Sequence, residues 1–274
     1  MTNAQQRILT ALAGIPLVLA ISFAGGWPFV VLVGAASALA QREFYGLAEE
    51  AGVRPFVAAG ILAGVVLVAS PLAPALLLVV AIIGTGILLS LPFALSHDRP
   101  LTDVSVTLTG IVYPALLLTG ATALRSGAGL AFTDREAFWI IVAILVLVWA
   151  ADSFAYFVGK SFGRRALAPR VSPKKTWEGS LGGALGALLF AVILKVSVLG
   201  FLAWGHVVAL AIICGGISQI GDLAESRLKR SVNAKDSGSL LPGHGGMLDR
   251  LDALLFAAPL AYLYFVLVAG TWLR

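Results

Sequence analysis

Two pairs of carboxylates have spacing that could do chemistry. Asp222 and Glu225 stand three residues apart in "GDLAESRLKRS", and Asp249 and Asp252 stand three apart in "MLDRLD". On a helix, each pair shares a face. Acids beside apolar segments are costly unless they are paired or metal-bound. Hard oxygen donors of this kind suit Mg²⁺, which keeps several waters and binds phosphates through one or two carboxylates. Favourable charge at a helix N-terminus accounts for Asp249 alone, and less well for the whole Asp-Arg-Leu-Asp run. Between Asp222 and Asp252 five acids, with Asp236 the fifth, meet five bases: Arg227, Lys229, Arg230, Lys235 and Arg250. A loop that served only topology would be basic, not neutral. In "LPGHGG", Gly243, Gly245 and Gly246 permit close backbone approach and an anion-binding turn. His244 is open to three roles there: phosphate contact, proton transfer or turn cap.

A second polar segment, "GKSFGRRALAPRVSPKKTWEGS" (159–180), sets Lys160, Arg164, Arg165, Arg170, Lys174 and Lys175 against one acid, Glu178. It reads as a basic loop at the headgroups or as a clamp for phosphates. "GKS" is not the end of a P-loop, because Phe154 stands where that motif requires glycine. Ser172-Pro173 signals a turn or helix start, and Thr176 to Ser180 leads into an apolar run. A helix N-terminus beside Lys174 and Lys175 suits an anion. Asp152, in "VWAADSFAYFVGK", lies within an apolar run with Tyr156 one turn later. It is a candidate for the metal site or a substrate hydroxyl, against a plain helix–helix bond or an arginine partner.

The elements that must position these groups are greasy. Of 274 residues, 59% are hydrophobic and only 12% charged, against roughly 25% charged in soluble domains. The length leaves room for about eight to ten spanning helices. Lipid satisfies no open backbone, so the runs must be helical. The fold class is therefore all-α, a polytopic integral membrane protein of about nine spans: 8–24, 27–41, 56–70, 73–95, 104–124, 137–157, 179–200, 205–225 and 249–271. The first run, after "MTNAQQR", reads as a span rather than a cleaved signal, although the small residues of "FAGGWP" leave a signal-anchor open. With the N-terminus inside and the C-terminus outside, all but four of the 19 Lys and Arg face the inner side; the exceptions are Arg125, Arg135, Lys195 and Arg274. Both polar segments then face one compartment. The same bias explains the net charge of +5, so no nucleic-acid partner is expected. A single Cys214 excludes an internal disulfide framework.

The run "SRLKRSVNAKDSGSLLPGHGGMLDRLD" from Ser226 resembles the signature of phosphatidate cytidylyltransferases, also called CDP-diacylglycerol synthases. The matching positions are Ser226, Lys229, Arg230, Lys235, Asp236, Gly238, Pro242, His244, Gly245, Gly246, Asp249, Arg250 and Asp252. "ADSFAYFVGKSFG", "SPKKTWEGS" and "GDLAES" are similar to further segments of that family. The likeness is close in the C-terminal half and only apolar in the N-terminal half.

The resemblance implies that CTP and phosphatidic acid give CDP-diacylglycerol and pyrophosphate, feeding phospholipid biosynthesis. It implies Mg²⁺ on Asp222 and Asp249, with Asp252 and Glu225 as ligands or supports; so many acids leave room for a second cation. Lys229, Arg230, Lys235 and Arg250 would hold the triphosphate or the lipid phosphate, aided by Lys174 and Lys175. Asp236 would orient Lys235 or contact CTP, and His244 would contact phosphate rather than act as a base. Asp152, Ser226, Gly245 and Gly246 are expected to bind substrate. Residues 1–125 would supply lipid access and a dimer scaffold, and 126–274 the cytoplasm-facing site. The expected assembly is a homodimer in a bacterial inner membrane. Two other readings compete. A CTP-dependent lipid or polyprenol kinase would release CDP instead of pyrophosphate. An ion-coupled transporter would use Asp152 and Asp222 for its ion, but the acids gather at one face and no inverted repeat is evident. The Asp-Gly-x₂-Ala-Arg pattern of CDP-alcohol phosphotransferases is not found.

Overall fold

Polar side chains at the N-cap hold two of the helix starts, at Thr133 and Thr176, in the computed structural model, which describes residues 3–73, 75, 79, 82–87, 90, 99–238 and 245–268. The chain forms α1 (Asn3–Ala24), α2 (Gly26–Glu50) and α3 (Val57–Ala69), then α4 (Pro100–Ser126) and α5 (Asp134–Phe162). A short hairpin, β1 (Ala166–Ala168) and β2 (Ser172–Thr176), precedes α6 (Trp177–Ser197), α7 (Trp204–Ser231) and α8 (Leu248–Leu267). Among the described residues, α4 to α8 are long and apolar enough to cross a membrane, and Ala11–Ala24 and Val57–Leu72 are shorter apolar helices. The expected span 73–95 falls partly outside the described residues; within it, 82–87 are helical.

Several helices, α2, α5 and α7 among them, overrun the apolar segments that announce them. α5 starts at Asp134 because Thr133 caps it: Glu136 N donates to Thr133 Oγ1 (3.3 Å) and Thr133 N donates to Glu136 Oε2 (2.7 Å). This reciprocal pair satisfies two donors that a helix start leaves open. At 29 residues, α5 is about 43 Å long and exceeds the ~30 Å hydrocarbon core, so its ends stand clear of it. Its middle is the axis of the bundle: Ile140, Ala143, Ile144 and Leu147 are fully buried at i, i+3, i+4 and i+7 spacing. α6 lies against it through Gly179, Gly182, Gly183 and Gly186, where added methyl groups would collide with α5. Small residues of this kind let two membrane helices approach closely.

Two helices contain wide turns. α4 opens at Ile111–Leu116, around Pro114, and α7 opens at Ile213–Ile217. Proline has no N–H to donate and so disrupts the regular ladder of α4. Such wide turns often sit at functional sites.

The hairpin is the one two-stranded sheet among the described residues. Its strands are antiparallel, with Ala166 opposite Thr176 and Ala168 opposite Ser172. Ser172-Pro173, read from sequence as a turn or helix start, is the first half of a strand, and α6 begins only at Trp177. Pro173 is tolerated because a two-stranded ribbon is all edge. Glu178 clamps the hairpin's base, its Oε2 accepting from the amides of Arg164 (3.0 Å) and Arg165 (3.2 Å).

At the opposite end of the bundle, Arg125 is only 2% exposed. Its Nε donates to Ser22 O (2.5 Å) and its Nη2 to Phe23 O (3.0 Å), capping α1, while Nη1 meets Asp134 Oδ1 (2.5 Å). Gly25 turns the chain with φ +63 beside this guanidinium, where a Cβ would collide with it. Replacing Arg125 by Ala leaves buried carbonyls without a donor. Arg125→Ala is expected to cost about 1–3 kcal/mol, read as a lowered melting midpoint in detergent; an unchanged midpoint would show that other contacts hold α1.

Candidate functional site

α7 brings the first carboxylate pair to the site. Past its wide turn, Ser180 Oγ donates to Gln219 Oε1 (2.6 Å), and Gln219 Nε2 returns a bond to Ser180 O (3.1 Å). This exchange sets the start of α6 beside α7, one turn before Asp222. Lys175, at the end of β2, then reaches across to pair with the Asp222 carboxylate. Ser226 Oγ, one turn on, lies 3.4 Å from Asp222 Oδ1.

α8 brings the second pair, but the two acids part company. Asp252 joins Asp222 and Glu225: one carboxylate oxygen from each lies within 4.8 Å of the others. Glu225 is 1% exposed, and its Oε1 is buried with no hydrogen-bond partner. Convergent carboxylates with an unsatisfied oxygen have the donor chemistry of a hard divalent cation site. Asp249 takes a different role. Its Oδ1 accepts from Lys229 Nζ (2.5 Å), and its Oδ2 accepts from the amides of Ser237 (3.0 Å) and Gly246 (2.9 Å). Lys229, 9% exposed, also donates to Glu225 Oε2 (2.9 Å). In this geometry Lys229 is a buried counter-ion that joins α7 to α8, not a free phosphate ligand.

The polar loop between α7 and α8 is held by a residue that the sequence did not flag. Glu43, from α2, accepts from Ser237 Oγ (2.9 Å), Met247 N (2.8 Å) and Leu248 N (2.8 Å). It therefore caps the start of α8 from another helix. Gly246 packs where a side chain would strike Ser237 and Glu43, and Gly245 turns with φ +78 beside Asp249. Both glycines are required by close approach and turn geometry. His244 and Pro242 lie outside the described residues. Arg230 is exposed, its Nη1 bonded to Ala234 O (2.8 Å), and Lys235 and Asp236 are exposed on the loop.

A cavity of about 460 Å³ opens beside Asp222. Asp152, Lys160, Lys174, Lys175 and Thr176 share its wall with Asp222. Three lysines of the basic segment and Asp152 thus lie beside Asp222, whereas Arg164, Arg165, Arg170 and Glu225 do not line this cavity. Cationic side chains facing a group of carboxylates can hold a polyphosphate and its metal ion together. Arg250 does not line this cavity but lines another.

Comparison with known proteins bears on what such a site serves. A family profile described as the cytidylyltransferase family matches residues 5–268. The chain belongs to the cytidylyltransferase family. Among relatives, it is 35% identical over 272 residues to the phosphatidate cytidylyltransferase of Brucella abortus, covering 98% of this chain and 96% of that one. To the phosphatidate cytidylyltransferase of Synechocystis it is 34% identical over 291 residues, covering 96% and 97%. A namesake from Haemophilus influenzae is 46% identical over 132 residues, covering 46% of each chain. The resemblance read from residues 226–252 is thus matched by likeness along nearly the whole chain.

Glu43 had no distinguishing signal in the sequence, being one acid in "AQREFYG" with no partner nearby. Its role is directly testable. Glu43→Ala should make the Met247 and Leu248 amides exchange at least about ten-fold faster in hydrogen–deuterium exchange, the loss of one charged hydrogen bond. Unchanged protection there would show that Glu43 does not hold the loop.

Proposed function

We propose that the chain transfers the cytidylyl group of CTP to phosphatidate, giving CDP-diacylglycerol and pyrophosphate, at the cytoplasmic face of a bacterial inner membrane. The observation that carries this reading is the meeting of three converging carboxylates with a lysine-lined cavity in a chain of this family. The mainly apolar bundle supports a lipid co-substrate.

An oxygen of the lipid phosphate forms a bond to the α-phosphorus of CTP. The bond from that phosphorus to the bridging oxygen breaks, and pyrophosphate leaves with the electron pair. The nucleophile is already anionic, so no residue need remove its proton. The demand on the protein is to bring two anions together in line. Lys160, Lys174 and Lys175 provide positive charge along the cavity wall for the phosphates, and Lys175 passes from Asp222 to the nucleotide as it binds. Asp222, Glu225 and Asp252 would hold Mg²⁺. When bound, the cation would neutralise the triphosphate and assist the departure of pyrophosphate. Asp249 acts through Lys229 and the loop amides, keeping Glu225 and the start of α8 in place. Asp152 offers a further carboxylate for a substrate hydroxyl or a second cation.

Purified protein in lipid–detergent micelles, given α-labelled CTP, phosphatidate and Mg²⁺, should place label in the lipid phase with matching pyrophosphate, and EDTA should abolish both. Transfer of γ-phosphate to a lipid alcohol with release of CDP would overturn the reading in favour of a kinase. Asp222→Asn and Asp252→Asn should each lower kcat by about 10²-fold or more with little change in melting midpoint. Near-normal turnover of both variants in saturating Mg²⁺ would remove these residues from the metal site.

A further inference from the structure

α8 has a second working face. Asp249 and Asp252 serve the acid site, whereas Met247, Arg250, Leu251 and Leu254 line a separate cavity of about 440 Å³. Those four positions follow i, i+3, i+4 and i+7 spacing, one stripe of a helix. The remaining walls come from α1, α2, α4 and α5 and are almost wholly apolar. Gly14, Val18 and Ser22 line it from α1, and Ala36 and Phe29 from α2. Arg250 is the one charged side chain on the wall among the described residues.

The position of that charge gives the cavity a direction. Glu43 of α2 bonds to Met247 and Leu248, so the α2 wall is nearest the acid site at its Glu43 end. Ala36 and Phe29 recede from Glu43 by about two and four helical turns. Along α1 the lining runs from Ala11 to Ser22, roughly 16 Å, which is half of a ~30 Å hydrocarbon core. The cavity thus has one cation near the reacting groups and an apolar shaft about one leaflet deep. A phospholipid has the complementary order: an anionic phosphate, then an acyl chain.

We infer that this cavity receives an acyl chain of the phosphatidate, with Arg250 meeting the lipid phosphate. The assignment rests on the cytidylyltransferase reading and adds to it the place of the lipid. CTP occupies the lysine-lined cavity, and the lipid approaches from the other face of α8. The two substrates meet across one helix. Arg250 then differs in function from the other bases of its segment, since it selects the lipid and not the nucleotide.

Wild-type protein in nanodiscs, irradiated with a phosphatidate carrying a diazirine near the end of an acyl chain, tests this without any substitution. Label is expected on peptides spanning 11–36 and 247–254, displaced by unlabelled phosphatidate but not by CTP. Label confined to the lipid-exposed faces or to peptides of α5–α7, or label that excess phosphatidate does not displace, would overturn the site. Turnover is measured on the same preparation, so failure of the reaction is distinguished from failure of the lipid site. Ala36→Leu and Ala121→Leu narrow the shaft. Each should raise the KM for dioleoyl phosphatidate about ten-fold relative to that for dihexanoyl phosphatidate. An equal change for both lipids would show that the shaft does not hold the chain.

Discussion

The site depends on one buried ammonium. Lys229 lies between Glu225 on its own helix and Asp249 on α8, in a part of the molecule where an unpaired charge would be strongly unfavourable. Satisfying Lys229 therefore requires α7 and α8 to lie together in one register. Asp249 then has a free oxygen, and that oxygen collects the Ser237 and Gly246 amides from the two ends of the loop. Removing Lys229 would leave Glu225 without its cation and Asp249 held only by the loop amides. At its described residues Ser237 and Gly246, the loop that carries the densest polar sequence in the chain is tied down from beneath by this charge pair.

This arrangement separates the carboxylates by their surroundings in a way that spacing alone does not. Asp249 and Asp252 are one turn apart, and the sequence favoured Asp249 for the metal, with Asp252 as a ligand or support. They differ because backbone N–H groups of the loop surround one of them, while the other faces Asp222 and Glu225. Nothing in a linear pattern records where a distant loop will put its amides. Glu43 is the same case in stronger form: an isolated acid acquires meaning only when α2 packs on α8.

What could be read in advance was what the membrane dictates. Apolar runs located α5 to α8, and the two polar segments stood out against them. The runs did not give helix ends, because the ends depend on capping groups such as Thr133 and Glu136 in polar sequence outside the core. The hairpin escaped notice because its strands are short: one is only Ala-Leu-Ala, and the other is basic and contains Pro173. The gathering of Lys174, Lys175, Asp152 and Asp222 around one cavity was legible from residue type. The pairing of Lys175 with Asp222 was not, because it joins residues 47 positions apart.

That pairing couples two binding equilibria. While Lys175 neutralises Asp222, the carboxylate is less available to a cation and the ammonium less available to a phosphate. A nucleotide that draws Lys175 away exposes Asp222, and a cation that takes Asp222 liberates Lys175. On the proposed roles, each ligand would thereby strengthen the affinity for the other by the same factor, as linkage requires. If Asp222 holds the proposed cation, this ion pair would favour the metal–nucleotide complex over either component alone.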